Sequence, residues 1–259
     1  MPVRFLPLLM LVAALSTAAA RAAAPLAGRP LVAIIDSGIA RTAELAPVLV
    51  GELDMAGARP AHQPRFDHGT MVATILHRAA GGAIDIVSFR IDDPAGCPAG
   101  QAPPCQPDAA PIIAAIEQAT DRRVHAINMS LSLADDPGIA EAVRRAAARG
   151  ILVVMAAGNA GRDRPDNAAM ARAGFPHTVL VGATDSAGRP WPGSNRPVAD
   201  DRLVYVWRPG VAVATVSAAG VPVTGTGTSF AAPIETARRV LARPLVLAAR
   251  APGADPVRR

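Results

Sequence analysis

Lysine is missing from this chain altogether: all 26 basic residues are arginine. The absence removes whole classes of chemistry. A Walker-type phosphate loop needs a lysine for its phosphates, and a pyridoxal enzyme needs one for its Schiff base, so neither function is open. A glycine-rich stretch at residues 225–233, "GTGTSFAAP", therefore needs another explanation. It also fails the dinucleotide fingerprint, because Phe230 stands where the third glycine belongs. Arginine is never found in runs longer than two. The formal net charge of +5 is thus spread thinly, and no nucleic-acid surface is indicated. Cysteine is nearly absent too, with only Cys97 and Cys105.

What is present is apolar. The chain has 259 residues, 51% of them hydrophobic and 18% charged, enough for one sizeable core. Its first 25 residues carry Arg4, then an apolar run from Phe5 to Ala20, then small residues. That run is too short to span a bilayer comfortably, and the pattern predicts a secretory signal peptide over residues 1–22, cleaved after Ala20 or Ala22. An uncleaved membrane anchor is the other reading. No cysteine lies near the cleavage site to carry a lipid. In an exported chain Cys97 and Cys105 are expected to form a disulfide. Closing so short a loop would stabilise by roughly 2–3 kcal/mol. A metal reading of the pair is weaker, because no histidine lies near it in the sequence.

Continuous apolar runs at residues 31–36, 84–91, 124–132, 151–157 and 178–183 read as buried strands. Helical patterns lie between them, starting at His68, spanning 109–123 and 137–150, and starting again at Thr228. Strands alternating with helices predict an α/β fold with a mainly parallel central sheet, in one domain over residues 23–259. Loops at 92–111 and 188–197 are rich in proline and glycine.

In an open parallel sheet, sites form beyond the carboxyl ends of strands and at the starts of the following helices. Four polar residues fall at such places. Asp36 ends a strand in "IIDSGIA", His68 opens a helix in "DHGTMVA", Asn159 follows a strand in "MAAGNAG", and Ser229 opens the last long helix. A carboxylate, an imidazole, an amide and a hydroxyl are the groups needed for acyl transfer through a serine. Taken singly, each residue has a plainer reading. Asp36 and Asn159 suit turns, His68 suits a helix start, and Ser229 suits a cap. His62, His77, His125 and His177 carry no comparable motif.

Together the stretches "DSGI", "HGT", "AAGN" and "GTSFAAP" resemble the subtilisin-like serine proteases, in that family's order of Asp, His and Ser. The resemblance runs from about residue 31 to 241 and includes "INMSLS", which is similar to the family's substrate-pairing strand. It implies a subtilisin-like three-layer fold and serine endopeptidase activity without a cofactor. Asp36, His68 and Ser229 would be catalytic, and Asn159 would be an oxyanion donor. Ser130, Leu131, Ser132, Ala157 and Gly158 would bind an extended polypeptide. Neither nucleic acid nor stable membrane association is implied, and the product would be exported, to the periplasm or beyond. Gly225 and Gly227 are expected to let a substrate carbonyl approach.

The chain also departs from the family. About a dozen residues separate the expected cleavage site from Asp36, leaving no room for a folding propeptide. The closing helices after Ser229 are expected to be trimmed. Ile234 stands where histidine is common, and Ser132 stands where glycine is usual, which narrows the first specificity pocket. No calcium loop is recognisable. Two alternatives stay open: an inactive homologue that binds peptides by strand addition, and an esterase using the same three groups.

Overall fold

The computed structural model describes residues 28–59, 63–100, 105–106 and 108–242. The expected signal peptide, its cleavage site and the residues after 242 lie outside the described residues. Each continuous apolar run became a strand buried on both faces. These are β1 (Leu31–Asp36), β3 (Asp85–Arg90), β4 (Ala126–Met129), β5 (Leu152–Ala156) and β6 (Thr178–Thr184). Two further strands, β2 (Leu49–Asp54) and β7 (Tyr205–Pro209), cap the sheet edges. All seven run parallel, in the order β2-β3-β1-β4-β5-β6-β7.

Alternation along a strand sends successive side chains to opposite faces, so a sheet of unbroken apolar strands needs two covers. One face packs Ala33, Ile35, Ile127 and Val153 against α2 (Ala110–Asp121), α3 (Pro137–Ala148) and α4 (Ala168–Ala173). The other packs Val32, Ile34, Ala126 and Val154 against α1 (His68–Ala79) and α5 (Thr228–Ala242). Each fully buried isoleucine or valine contributes about 1.5–3 kcal/mol. This is the expected three-layer α/β architecture. Helix α3 starts as its sequence directs: Pro137 takes the first turn, and the Asp136 carboxylate accepts the Ile139 N–H at 2.9 Å.

A small antiparallel hairpin, β8 (Val213–Val216) with β9 (Pro222–Gly225), leads into α5. The predicted strand over 124–132 stops at Met129, where its pairing with β5 ends. Residues 130–132 therefore run on past the sheet. The carboxyl ends of β1, β4 and β5, three neighbours at the sheet's centre, open toward one side together with the starts of α1 and α5.

Candidate active site

Asp36 is the last residue of β1 and is almost wholly buried. Its Oδ1 accepts the Ser37 N–H at 2.7 Å and the Ser37 hydroxyl at 3.2 Å. That hydroxyl also accepts the Gly69 N–H at 3.2 Å, and Thr70 Oγ1 accepts the Ala40 N–H at 2.9 Å. These bonds sew the turn after β1 to the first turn of α1. Only glycine fits at position 69, because a Cβ there would stand 2.3 Å from the Gly38 carbonyl oxygen. The close approach carries His68, the first residue of α1, onto Asp36. His68 Nδ1 lies 2.8 Å from Oδ1 and 2.9 Å from Oδ2.

A carboxylate only accepts hydrogen bonds, so Nδ1 carries the proton and Nε2 is left as the basic nitrogen. Burial of the ring disfavours its cation. The charge of Asp36 and its hydrogen bond outweigh that penalty, and the imidazole's pKa is held above its ordinary 6.5. Phe230 packs a tilted ring 5.7 Å from the imidazole, centre to centre.

Ser229 is the second residue of α5, where backbone N–H groups have no intrahelical acceptor. Four residues on stands Pro233, inside the helix. Proline has no N–H, so the Ser229 carbonyl loses its intrahelical donor. Ser130 Oγ supplies the replacement, donating to that carbonyl at 2.8 Å. Ser130 Oγ in turn accepts from Asn128 Nδ2 at 3.0 Å, and Asn128 Oδ1 accepts from Thr236 Oγ1 at 2.8 Å. A buried polar chain thus ties the end of β4 to the start of α5. The sequence motifs contained Asn128, Ser130 and Ser229 but gave no reason to pair them.

Asn159, just past β5, is fixed through its oxygen. Oδ1 accepts both the Thr228 N–H and the Thr228 hydroxyl at 2.9 Å. The Nδ2 end is thereby turned away from Thr228, and the residue lines the same cavity as His68 and Ser229. Gly225 and Gly227 are required by neighbouring side chains. A Cβ on Gly225 would stand 2.6 Å from the Phe230 ring, and one on Gly227 would stand 3.0 Å from Asn159 Nδ2. They make room for those side chains, of which Asn159 borders the cavity.

The cavity holds about 570 Å³. Its polar end is His68, Ser229 and Asn159; Ile91, Ile112, Leu131 and Ile139 give it an apolar floor. Ser130 and Ser132 lie on it with Leu131. Ala157 and Gly158 do not, and their backbone groups are committed elsewhere. The Ala157 N–H donates to Val181 and its carbonyl accepts from Asp166. The Gly158 N–H donates to Thr228 Oγ1 at 3.1 Å and its carbonyl accepts from Asn195. They can wall a substrate but not pair with it.

The opposite rim belongs to the loop after β3. There Cys97 and Cys105 form the expected disulfide, with Cα atoms 5.2 Å apart. The loop's root is fixed by Asp92, fully buried, which accepts from Arg90 Nε at 2.8 Å and Arg59 Nη1 at 3.0 Å.

This is an α/β protein with its polar groups collected at the carboxyl ends of the central strands. The subtilase family model matches residues 28–242, and the chain belongs to that family, whose members are serine-type endopeptidases acting on polypeptides. No curated protein matches it. Among solved structures it is similar to a cold adapted subtilisin-like serine proteinase, at 22% identity and a TM-score of 0.67, covering 82% of this chain and 74% of that one. The protease domain of PatA gives 22% and 0.66, covering 82% and 78%. The prenylagaramide maturation protease PagA gives 22% and 0.65, covering 82% and 74%. These likenesses establish the subtilisin-like fold.

Proposed function

We propose that the chain is an exported endopeptidase in which Ser229 is the nucleophile, His68 the general base and acid, and Asp36 the group that orients and stabilises the imidazole. The observation that carries the reading is the two-oxygen contact of Asp36 with His68 Nδ1, on a cavity that Ser229 and Asn159 share. A substrate strand lies along Ser130, Leu131 and Ser132 with its scissile carbonyl at Ser229. Ser229 Oγ attacks the carbonyl carbon while Nε2 takes the hydroxyl proton. The oxyanion receives hydrogen bonds from Asn159 Nδ2 and the Ser229 N–H. The tetrahedral intermediate collapses as His68 returns the proton to the leaving amine. Water then repeats the sequence on the acyl-enzyme, releasing the new carboxylate and restoring the serine.

A fluorophosphonate probe tests the assignment. Ser229 alone should be labelled, and the label should disappear in His68→Ala. Labelling of another serine with Ser229 untouched overturns it. Peptide turnover by the labelled-competent enzyme distinguishes this reading from a peptide-binding homologue. Hydrolysis of simple esters without peptides would favour an esterase.

Export is supported by the apolar N-terminal run and the disulfide. Among the described residues, no helix is long and apolar enough to cross a membrane. Residues 1–22 act as the signal peptide and 23–259 as one catalytic domain. N-terminal sequencing of wild type and Ser229→Ala from one export host should give the same start, between Arg21 and Pro25. A longer variant would mean that the protein processes itself.

A further inference from the structure

Residues 158–162 leave β5 and carry Asn159 to the cavity, yet the backbone of Asn159 makes no hydrogen bond of its own among the described residues. Its neighbours are held instead, and largely by one residue. Asn195, in the loop between β6 and β7, is fully buried. Its Oδ1 accepts the Ala160 N–H at 3.1 Å and the Arg162 N–H at 3.0 Å. Its own N–H donates to the Gly158 carbonyl at 2.9 Å. The residues on both sides of Asn159 are thus bonded to Asn195. Two backbone bonds extend the seam, from the Gly161 N–H to the Gly193 carbonyl at 2.9 Å and from the Arg196 N–H to the Arg162 carbonyl at 2.8 Å. Gly158 lets the side chain come this close. A Cβ there would stand 2.3 Å from Asn195 Nδ2, and its φ of +100 suits glycine. Asn195 is fixed in turn from the sheet's edge, where its carbonyl accepts the Tyr205 hydroxyl of β7 at 2.5 Å and the Ser194 hydroxyl at 3.2 Å.

Resting on the proposed role of Asn159 as oxyanion donor, this seam has a kinetic meaning. A donor helps only when it is aimed at the place where charge develops, and a displacement of about 1 Å costs up to about 100-fold in rate. The Asn159 side chain is anchored through its oxygen to Thr228, next to Ser229. That contact alone would let the amide pivot, so the backbone needs a second anchor. We infer that Asn195 is a positioning residue for the reaction. It holds the chain on either side of Asn159 so that Nδ2 faces the oxyanion at Ser229, and it acts through Asn159 alone. Asn195 does not line the cavity that His68, Ser229 and Asn159 share, so its effect on substrate passes through another residue. The bond from Ser130 to the start of α5 and the contact of Asp36 with His68 are made without it. Among the described residues its Nδ2 has no hydrogen-bond partner, so the side chain's hold rests on the oxygen.

The test is a double-variant cycle on peptide hydrolysis, with rates taken per mole of folded enzyme, the folded fraction being read by near-ultraviolet circular dichroism. Asn195→Ala should lower kcat by about 10- to 100-fold, the cost of a misplaced group. KM should stay within about twofold, because the substrate strand is untouched. The midpoint of the acid limb should not move, because His68 and Asp36 are untouched. In an Asn159→Ala background the same substitution should change kcat by less than about twofold, since a donor already removed cannot be misplaced. A merely structural role would lower kcat by the same factor in both backgrounds, and that result overturns the inference. So does an unchanged kcat in Asn195→Ala, or a fall accompanied by a shifted acid limb. If Asn195→Ala does not fold, Asn195→Ser takes its place in the cycle and is read by the same criteria. An Asn159→Ala variant with full kcat overturns the parent role of Asn159, and this inference with it. A slow Asn159→Ala with an additive cycle overturns this inference alone.

Discussion

His68 is the residue whose environment makes the sharpest demand. Catalysis by base needs the neutral ring, and Asp36 raises the pKa by favouring the cation. A raised pKa means that protons are lost only at higher pH. The acid limb of kcat/KM should therefore have its midpoint above 6.5, and a pH profile of peptide hydrolysis measures it. In Asp36→Asn the favouring charge is gone while burial remains, so the limb of the residual activity should move down. Turnover there should drop by about 10⁴-fold, as it does when the aspartate of a triad is neutralised. Asn159→Ala should lower kcat by about 100- to 1000-fold with little change in KM, the range measured for such a donor in a subtilisin. Steady-state kinetics would separate the two constants, and an unchanged kcat would remove Asn159 from the oxyanion site. Asp36, His68, Asn159 and Ser229 were legible because each sits in a short motif at a strand or helix end. Asn195 was not. Its stretch "PGSNRP" spells an ordinary loop, and only the tertiary fold shows its side chain spent on the segment around Asn159.

At the scale of elements, the start of α5 is held to the end of β4 by one hydroxyl. Ser130→Ala removes the donor to the Ser229 carbonyl and leaves Asn128 Nδ2 without its acceptor. Stability should fall by about 1–3 kcal/mol, the cost of orphaned buried polar groups. Pro233→Ala would restore an N–H four residues after Ser229, inside the same helix. The double variant should therefore lose less than Ser130→Ala alone at the Ser229 carbonyl, and urea unfolding of the single and double variants measures the coupling. Strict additivity would refute the idea that the hydroxyl stands in for a missing backbone donor. Strands β1, β3, β5 and β6 were readable because strands covered on both faces are written as unbroken apolar runs. Strands β2 and β7 sit at the sheet's edges and are mostly half-buried, so no such run marks them. Helix α4 has only 6 residues, too few for a helical period to register. The strand predicted to reach residue 132 ends three residues early, because apolarity alone does not tell a paired strand from a segment leaving the sheet.

For the molecule as a whole, acid stability should depend on Glu235. It is fully buried in α5 and bonded to Arg208 of β7 at 2.6 Å, and to Arg238 and Arg239 of its own helix at 2.8 and 2.5 Å. Burial alone would raise its pKa, but the three guanidinium groups hold it at about 2. A depressed carboxylate stabilises the fold above its unfolded pKa and loses that contribution as pH falls toward the folded value. Urea midpoints should thus drop between about pH 4.5 and 2 in wild type, and more shallowly in Glu235→Gln. Equal slopes would assign acid sensitivity to other groups. The strand order has a consequence for synthesis. On the roles proposed, Asp36 and His68 emerge early in the chain, Asn159 past its middle, and Ser229 only with the final described helix, while β1, which ends at Asp36, lies at the sheet's centre between two later strands. A nascent polypeptide would then carry a base with nothing to activate. On those roles, the chain would be harmless to the machinery that makes it until its final described helix has been delivered.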